Sequence, residues 1–467
     1  MASREAKTLT VFALVMINVA AVANLAQLSV LAEYGFSAIF FIGLASLLFF
    51  VPLALVSAEL ATGWPQSGGV YVWVKEAFGK EWGFLAVWLL WFENVIWYPT
   101  ILSFAAATLA FIFNPVLATN PMYTFAIILI IAWGATFMNL RGMNTSSLIS
   151  TFGVWAGVFL PLLFIIALSV FWLFTGGTPQ ISLSVQNLIP DLSNIANLVF
   201  LVGVLLSFSG IEMSAIHAGE VKEPQKDYPK AILVSAIIIF LIFTLGSLAI
   251  SLVVPKPQIV LNAGIMESFR YFLATYNIPW FLPMIALLIA LGTIGTVSTW
   301  LAGPSKGLLV TAKDGSLPPF FQKVNKNGMP INILLTQALI ISVLAVLFVF
   351  MPSVSASYWI LIAMTAQLYL IMYLLMFAAA IKLRYSRPKV HREFRVPGGN
   401  PGMWLVAGLG FLASLFAIII GFIPPPGIDT GSASFFHLFT VGGILLVCIA
   451  PLIILRLKKP SWVPKGG

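Results

Sequence analysis

A chain of 467 residues that is 60% hydrophobic and only 8% charged is excluded from the ordinary soluble class, where about a quarter of residues carry charge. One cysteine, Cys448, excludes an internal disulfide, and with His217, His391 and His437 it makes no cluster of metal-ligand spacing; no metal and no cofactor is expected. The net charge of +9 points to nucleic acid only if membrane topology leaves the positive residues unexplained.

Apolar runs of spanning length fall near 10–31, 38–61, 84–112, 122–140, 147–174, 196–217, 231–254, 280–302, 331–351, 357–381, 403–423 and 434–455, so an all-α membrane protein with twelve transmembrane helices is predicted. The first run is long and carries Asn18, Asn24 and Gln27, unlike a cleaved leader, and is expected to remain in the mature protein. With the N-terminus inside, all of the 24 Lys and Arg except Lys256 and Arg270 fall on the cytoplasmic side, as the positive-inside rule requires. Anionic lipid at that face then accounts for the charge, nucleic acid is not expected as a partner, and both termini are placed in the cytoplasm.

Within span one, Ile17 to Asn24 is small and amide-rich but has no glycine. It reads either as an interrupted helix or as a continuous one with Asn18 and Asn24 bonded across the bundle. After span two, Trp64 to Tyr71 holds Pro65 and Gly68-Gly69, a tight turn, and Val70 to Phe78 is amphipathic. Span three buries Glu93 and Asn94 among aromatics; Glu93 reads as a solute contact, a proton carrier, or an interhelical hydrogen bond near Pro99. Gly153 and Gly157 in span five suggest close helix packing.

Span six has Ser207-Phe208-Ser209-Gly210-Ile211-Glu212 at its middle, a small pair followed by a carboxylate at depth. Ionisable residues there are costly and face protein or water, so this is read as an interrupted helix lining a solute site, with Glu212 a proton or gating group or else a packing acid. His217 beyond it is read as structural rather than as a pH sensor. Span eight offers Thr293, Thr296, Ser298 and Thr299. Such hydroxyls often bond their own helix, and Thr296 touches solute if it faces span six.

Gly264 to Phe272 after span seven is amphipathic like Val70 to Phe78, at the same place in a five-helix group but on the opposite side. Spans one to five (1–175) and six to ten (176–385) therefore read as an inverted repeat, with spans eleven and twelve (386–467) accessory. No phosphate loop, HExxH or nucleophile with His and acid is present, so enzyme activity is not expected. A channel would need a polar stripe along several helices, whereas the polar residues cluster near mid-depth.

The runs Ala58 to Thr62, Pro65 to Tyr71, Ser209 to Glu212, Gly219 to Pro224, Ala312 to Pro319 and Phe394 to Gly399 together resemble the amino acid, polyamine and organocation superfamily, and within it the bacterial glutamate/GABA antiporters. The resemblance implies a leucine-transporter-like five-plus-five fold with helices one and six broken. It places the substrate carboxylate near Asn18, Val19, Ala20, Ala21, Val22 and Ala23, and the amino group at carbonyls of Phe208, Ser209, Gly210 and Ile211. It also assigns Asn94 to substrate contact and Glu212 to gating or proton sensing. Three departures mark this chain: span one lacks glycine, Thr296 and Glu93 replace a glutamate and a neutral amide, and a long C-terminal tail is missing after Gly467. Span five also lacks a lysine to replace a coupling sodium ion. The expected function is secondary active amino acid transport by alternating access, as an antiporter, with proton-coupled symport second and a channel third. The expected setting is a bacterial inner membrane, as monomer or homodimer, with an amino acid, its counter-substrate and lipid as partners.

Overall fold

The computed structural model describes residues 10–66, 68–142, 155–190, 192–213 and 222–463. His217, Gly153, Ser67, Gly219 to Val221 and the first turns expected of span five fall outside these. Among the described residues every regular element is helical. Among the described residues eleven helices are long and apolar enough to cross a membrane, and Val11–Val22 with Leu25–Ala32, bent by 50°, makes a twelfth if the pair is one span. The others are Gly35–Gly63, Lys80–Phe113, Pro121–Leu140, Trp155–Phe174, Ile195–Met213, Pro224–Val253, Pro279–Ser316, Ile331–Phe350, Val354–Ser386, Gly399–Ile420 and Ala433–Arg456.

Span eight runs well past the expected end near residue 302. Loss of apolar character at Lys306 and Lys313 marks where side chains leave the hydrocarbon, but backbone hydrogen bonding does not stop there and passes through Pro304. Spans three and ten are the most buried of the spans, 83% each in their most apolar stretch, and span twelve the least, 22%. Three packs on eight and ten at the centre, while twelve shows most of its surface to the surroundings, as an accessory helix does. Amphipathic helices Val70–Phe78 and Gly264–Thr275 follow spans two and seven.

Close packing sets the helix spacing where glycine permits it. A Cβ on Gly157 would lie 2.4 Å from the Leu288 carbonyl and 2.5 Å from Gly292 Cα, so spans five and eight meet backbone to backbone there.

The face that carries most of the basic residues is held by two clamps. Glu59 of span two, 2% exposed, accepts from Arg384 Nε (2.5 Å) and Nη2 (2.6 Å) and from the Val396 backbone N–H (2.7 Å), with Arg392 Nε at 3.4 Å. Asp314, at the end of span eight, accepts from Tyr71 OH (2.5 Å) and Lys75 Nζ (3.4 Å), and Lys80 Nζ donates to its carbonyl (2.5 Å). The sequence motifs around Glu59, Tyr71, Asp314 and Phe394 are thus partners across more than two hundred residues.

Candidate functional site

The break in span one begins where Ala23 (φ −63°, ψ 117°) and Asn24 (φ −141°, ψ 118°) leave helical geometry. No glycine is needed because neither residue takes positive φ. Asn24 caps the second half instead, its side-chain oxygen accepting from the Ala26 N–H at 3.0 Å. Val19 to Val22 remain inside the first half-helix, so what they bring to the break is carbonyls: Val19 C=O accepts from Ala23 N–H, and those of Ala20, Ala21 and Val22 have no further turn above them. Bare N–H groups start at Asn24, a few residues later than expected. Asn18 is fully buried and donates to Ser235 Oγ at 3.2 Å, which ties span one to span seven rather than opening on solute.

Span six stops at Ser207, turns through Phe208 to Gly210 and resumes as a short helix from Ile211. Gly210 has φ +102°, a left-handed conformation that side chains resist, and a Cβ there would approach the Trp300 ring (3.3 Å) and the Ala21 carbonyl (3.5 Å). The two interruptions therefore face each other. The Gly210 N–H donates to Tyr373 OH at 2.9 Å, and Ser207 and Ser209 hydroxyls turn back to the Gly203 and Leu205 carbonyls.

A cavity of about 570 Å³, mouth included, opens between them. Its walls are Ala20 to Asn24 and Gln27 of span one, Glu93, Asn94 and Trp97 of span three, and Leu206, Ser207 and Ser209 of span six. Thr296 and Trp300 of span eight and Tyr369 of span ten complete them. Trp97 and Trp300 meet edge to face, centroids 6.2 Å apart. Half-helix ends of both polarities reach this space, carbonyl ends from spans one and six and the N-terminal end of span one's second half.

Among the described lining residues Glu93 is the only acid, and none is Lys, Arg or His. Asn94 Nδ2 donates to the Leu90 carbonyl (2.9 Å) and to Glu93 Oε1, so the acid and the amide form one unit on the wall. Thr296 both lines the cavity and donates to its own helix at Gly292 (3.0 Å). Ser298 instead accepts from Asn139 (3.1 Å), as a packing group.

Glu212 is not on the wall. Its carboxyl accepts from Tyr369 OH (2.5 Å) and Tyr373 OH (2.6 Å), two rings stacked at 4.7 Å on span ten, and Tyr369 stands between it and the cavity. Phe208, Gly210 and Ile211 are buried behind the lining. Sequence reading missed Tyr369, Tyr373, Trp97, Trp300 and the capping role of Asn24. The i, i+4 pair of tyrosines inside an apolar span was a visible signal, since buried phenols need polar partners.

A bundle with two mutually facing broken spans and a small cavity between them defines a membrane transporter. The chain belongs to the amino acid permease family, whose profile matches residues 7–446. It is similar to an uncharacterized transporter of Legionella pneumophila subsp. pneumophila, 46% identical over 96% of this chain and 97% of that protein. A glutamate/gamma-aminobutyrate antiporter of Lactococcus lactis subsp. lactis is 32% identical over 90% of this chain and 84% of the relative. A probable agmatine/putrescine antiporter of the same subspecies is 26% identical over 87% and 86%. The resemblance read from the motifs holds at the level of the family.

Proposed function

We propose that this protein is a secondary active amino acid transporter that works as an antiporter by alternating access, in a bacterial inner membrane with both termini cytoplasmic. The observation that carries the reading is the cavity at the paired breaks. The α-carboxylate is received by N–H groups from Asn24 onward and the α-ammonium by the carbonyls of Ala20 to Val22 and Ser207. Ala23, Asn94, Ser209 and Thr296 shape the remainder, and Phe208, Gly210 and Ile211 set the turn that makes the site. With Glu93 on the wall and no cation, a solute side chain that is neutral or positive fits better than an anionic one. Residues 1–175 and 176–385 act as inverted halves, a reading supported by the matched breaks and by the matched amphipathic helices.

Counterflow in liposomes tests it. Radiolabelled amino acid enters vesicles loaded with the unlabelled one and fails to enter empty ones; equal uptake in both overturns exchange. Proton-coupled symport is the second reading, favoured by two buried acids, Glu93 and Glu212, on either side of Tyr369 without a basic partner among the described residues. It predicts accumulation under an imposed pH gradient into empty vesicles, lost in Glu93→Gln or Glu212→Gln.

A further inference from the structure

Gln27 ends the short helical turn Leu25–Gln27 that opens the second half of span one. Two hydrogen bonds hold that turn without using the Gln27 side chain. Asn24 caps it at the Ala26 N–H, and Tyr358 OH of span ten donates to the Ala26 carbonyl at 2.8 Å. The side chain itself borders the central cavity and is 2% exposed. Its Oε1 is buried without a hydrogen-bond partner among the described residues, and Nε2 donates to none of them.

Its neighbours on the wall differ. The hydroxyls of Ser207, Ser209 and Thr296 donate to carbonyls of their own helices, Asn94 Nδ2 to Leu90 and Glu93, and Tyr369 OH to Glu212. A buried amide that neither gives nor takes a hydrogen bond costs free energy that the fold around it does not recover. What it lacks is a partner on the cavity side. A carboxamide offers a donor and an acceptor side by side on one carbon, and the group that answers both is a second carboxamide turned the other way. Rotating the Gln27 amide by half a turn exchanges its two ends and leaves that match intact.

We propose that Gln27 selects the solute's side chain, pairing amide to amide with an amino acid that ends in a primary carboxamide. The inference rests on the reading of the solute as an amino acid and carries it one step further, from the α-groups to the side chain. Lysine and arginine side chains offer donors alone and a glutamate carboxylate acceptors alone, so each leaves half of Gln27 unanswered. An aliphatic side chain leaves both halves unanswered.

The test is ligand binding to the purified full chain, read as the dependence of melting temperature on ligand concentration. L-Glutamine is compared with the γ-methyl ester of L-glutamate, which keeps the side-chain carbonyl but has O–CH3 in place of the amide nitrogen. Wild type is expected to bind glutamine about tenfold or more tighter, because a site that hydrogen-bonds a solute N–H rejects the analogue without it. In Gln27→Met the preference is expected to disappear, through weaker binding of glutamine with the ester little changed. Equal binding of the two by wild type overturns the proposal. So does a preference that survives in Gln27→Met, which then belongs to another group on the wall. The melting temperature without ligand is a second measure. Gln27→Met is expected to match or exceed wild type, since no hydrogen bond inside the protein is removed, and a clear fall means that Gln27 serves the fold and overturns its role in selection. L-Alanine separates the two readings. If it binds as tightly as glutamine, only the role of Gln27 falls; if wild type binds none of the three, the amino acid reading fails and this one with it.

Discussion

Tyr373→Phe removes one oxygen from the point where spans six and ten are joined. That hydroxyl accepts from the Gly210 N–H at 2.9 Å and donates to Glu212 Oε2 at 2.6 Å. Without it, a buried N–H at the break is orphaned, about 1–3 kcal/mol, and the carboxylate loses a charge-assisted bond of about 1.5–3 kcal/mol. Both losses stem from one group and Tyr369 still holds Glu212, so they do not add in full, and about 2–4 kcal/mol is expected in total. The volume change is small enough that repacking contributes little. The assays are thermal unfolding of the purified protein and counterflow in liposomes. A lowered melting temperature is expected, with exchange slowed by about tenfold or more, since each 1.4 kcal/mol lost from the population of the cavity-forming state is a factor of ten. If both equal the wild type, Glu212 and its tyrosines do not hold the break in span six, and the account of that element fails.

Glu59→Gln leaves Arg384 and Arg392 buried with their shared charge removed, and is expected to destabilise by about 3–5 kcal/mol in thermal unfolding, whereas Glu59→Leu with Arg384→Met recovers part of the loss. Gly157→Ala forces a Cβ onto the Leu288 carbonyl, so a loss of about 1–3 kcal/mol or poor recovery of folded protein is expected, read by size-exclusion chromatography and melting. Glu93→Gln is expected to weaken arginine relative to glutamine as competitors of counterflow by about tenfold, or 1.4 kcal/mol, with glutamine itself little changed. Because burial raises the Glu33 carboxyl from 4.5 to about 7, with Lys256 partly offsetting this, it is ionised above that pH and protonated below it. The same shift means the folded protein holds this proton more tightly than the unfolded chain. Its contribution favours folding at low pH and declines as pH rises from about 4.5 to 7.

The break in span six was legible because Ser209-Gly210 ahead of Glu212 violates what an apolar span requires, a local contradiction that only a turn resolves. The break in span one was harder to see. Asn18 and Asn24 look alike in a small, amide-rich run, yet one bonds across to Ser235 and the other caps a half-helix. Which amide does which is decided by the facing helix, and periodicity carries no information about that. Likewise Glu93 and Glu212 are equally conspicuous as buried acids, but Glu93 borders the cavity and Glu212 is screened from it by Tyr369.

By itself the sequence determined that the chain lives in a membrane, crosses it about twelve times and interrupts a span at Gly210. Each of those follows from hydrophobicity, charge placement or backbone freedom, which are properties of short stretches. Only the tertiary structure decided what the motifs are for. Glu59 with Arg384, and Tyr71 with Asp314, are partners separated by 325 and 243 residues, and they join helices on one face of the bundle away from the lining of the central cavity. Glu33 and Lys256, unremarkable in the chain, come to share a cavity for the same reason. Interactions between distant segments depend on how the helices pack, and that geometry is set by all the spans together.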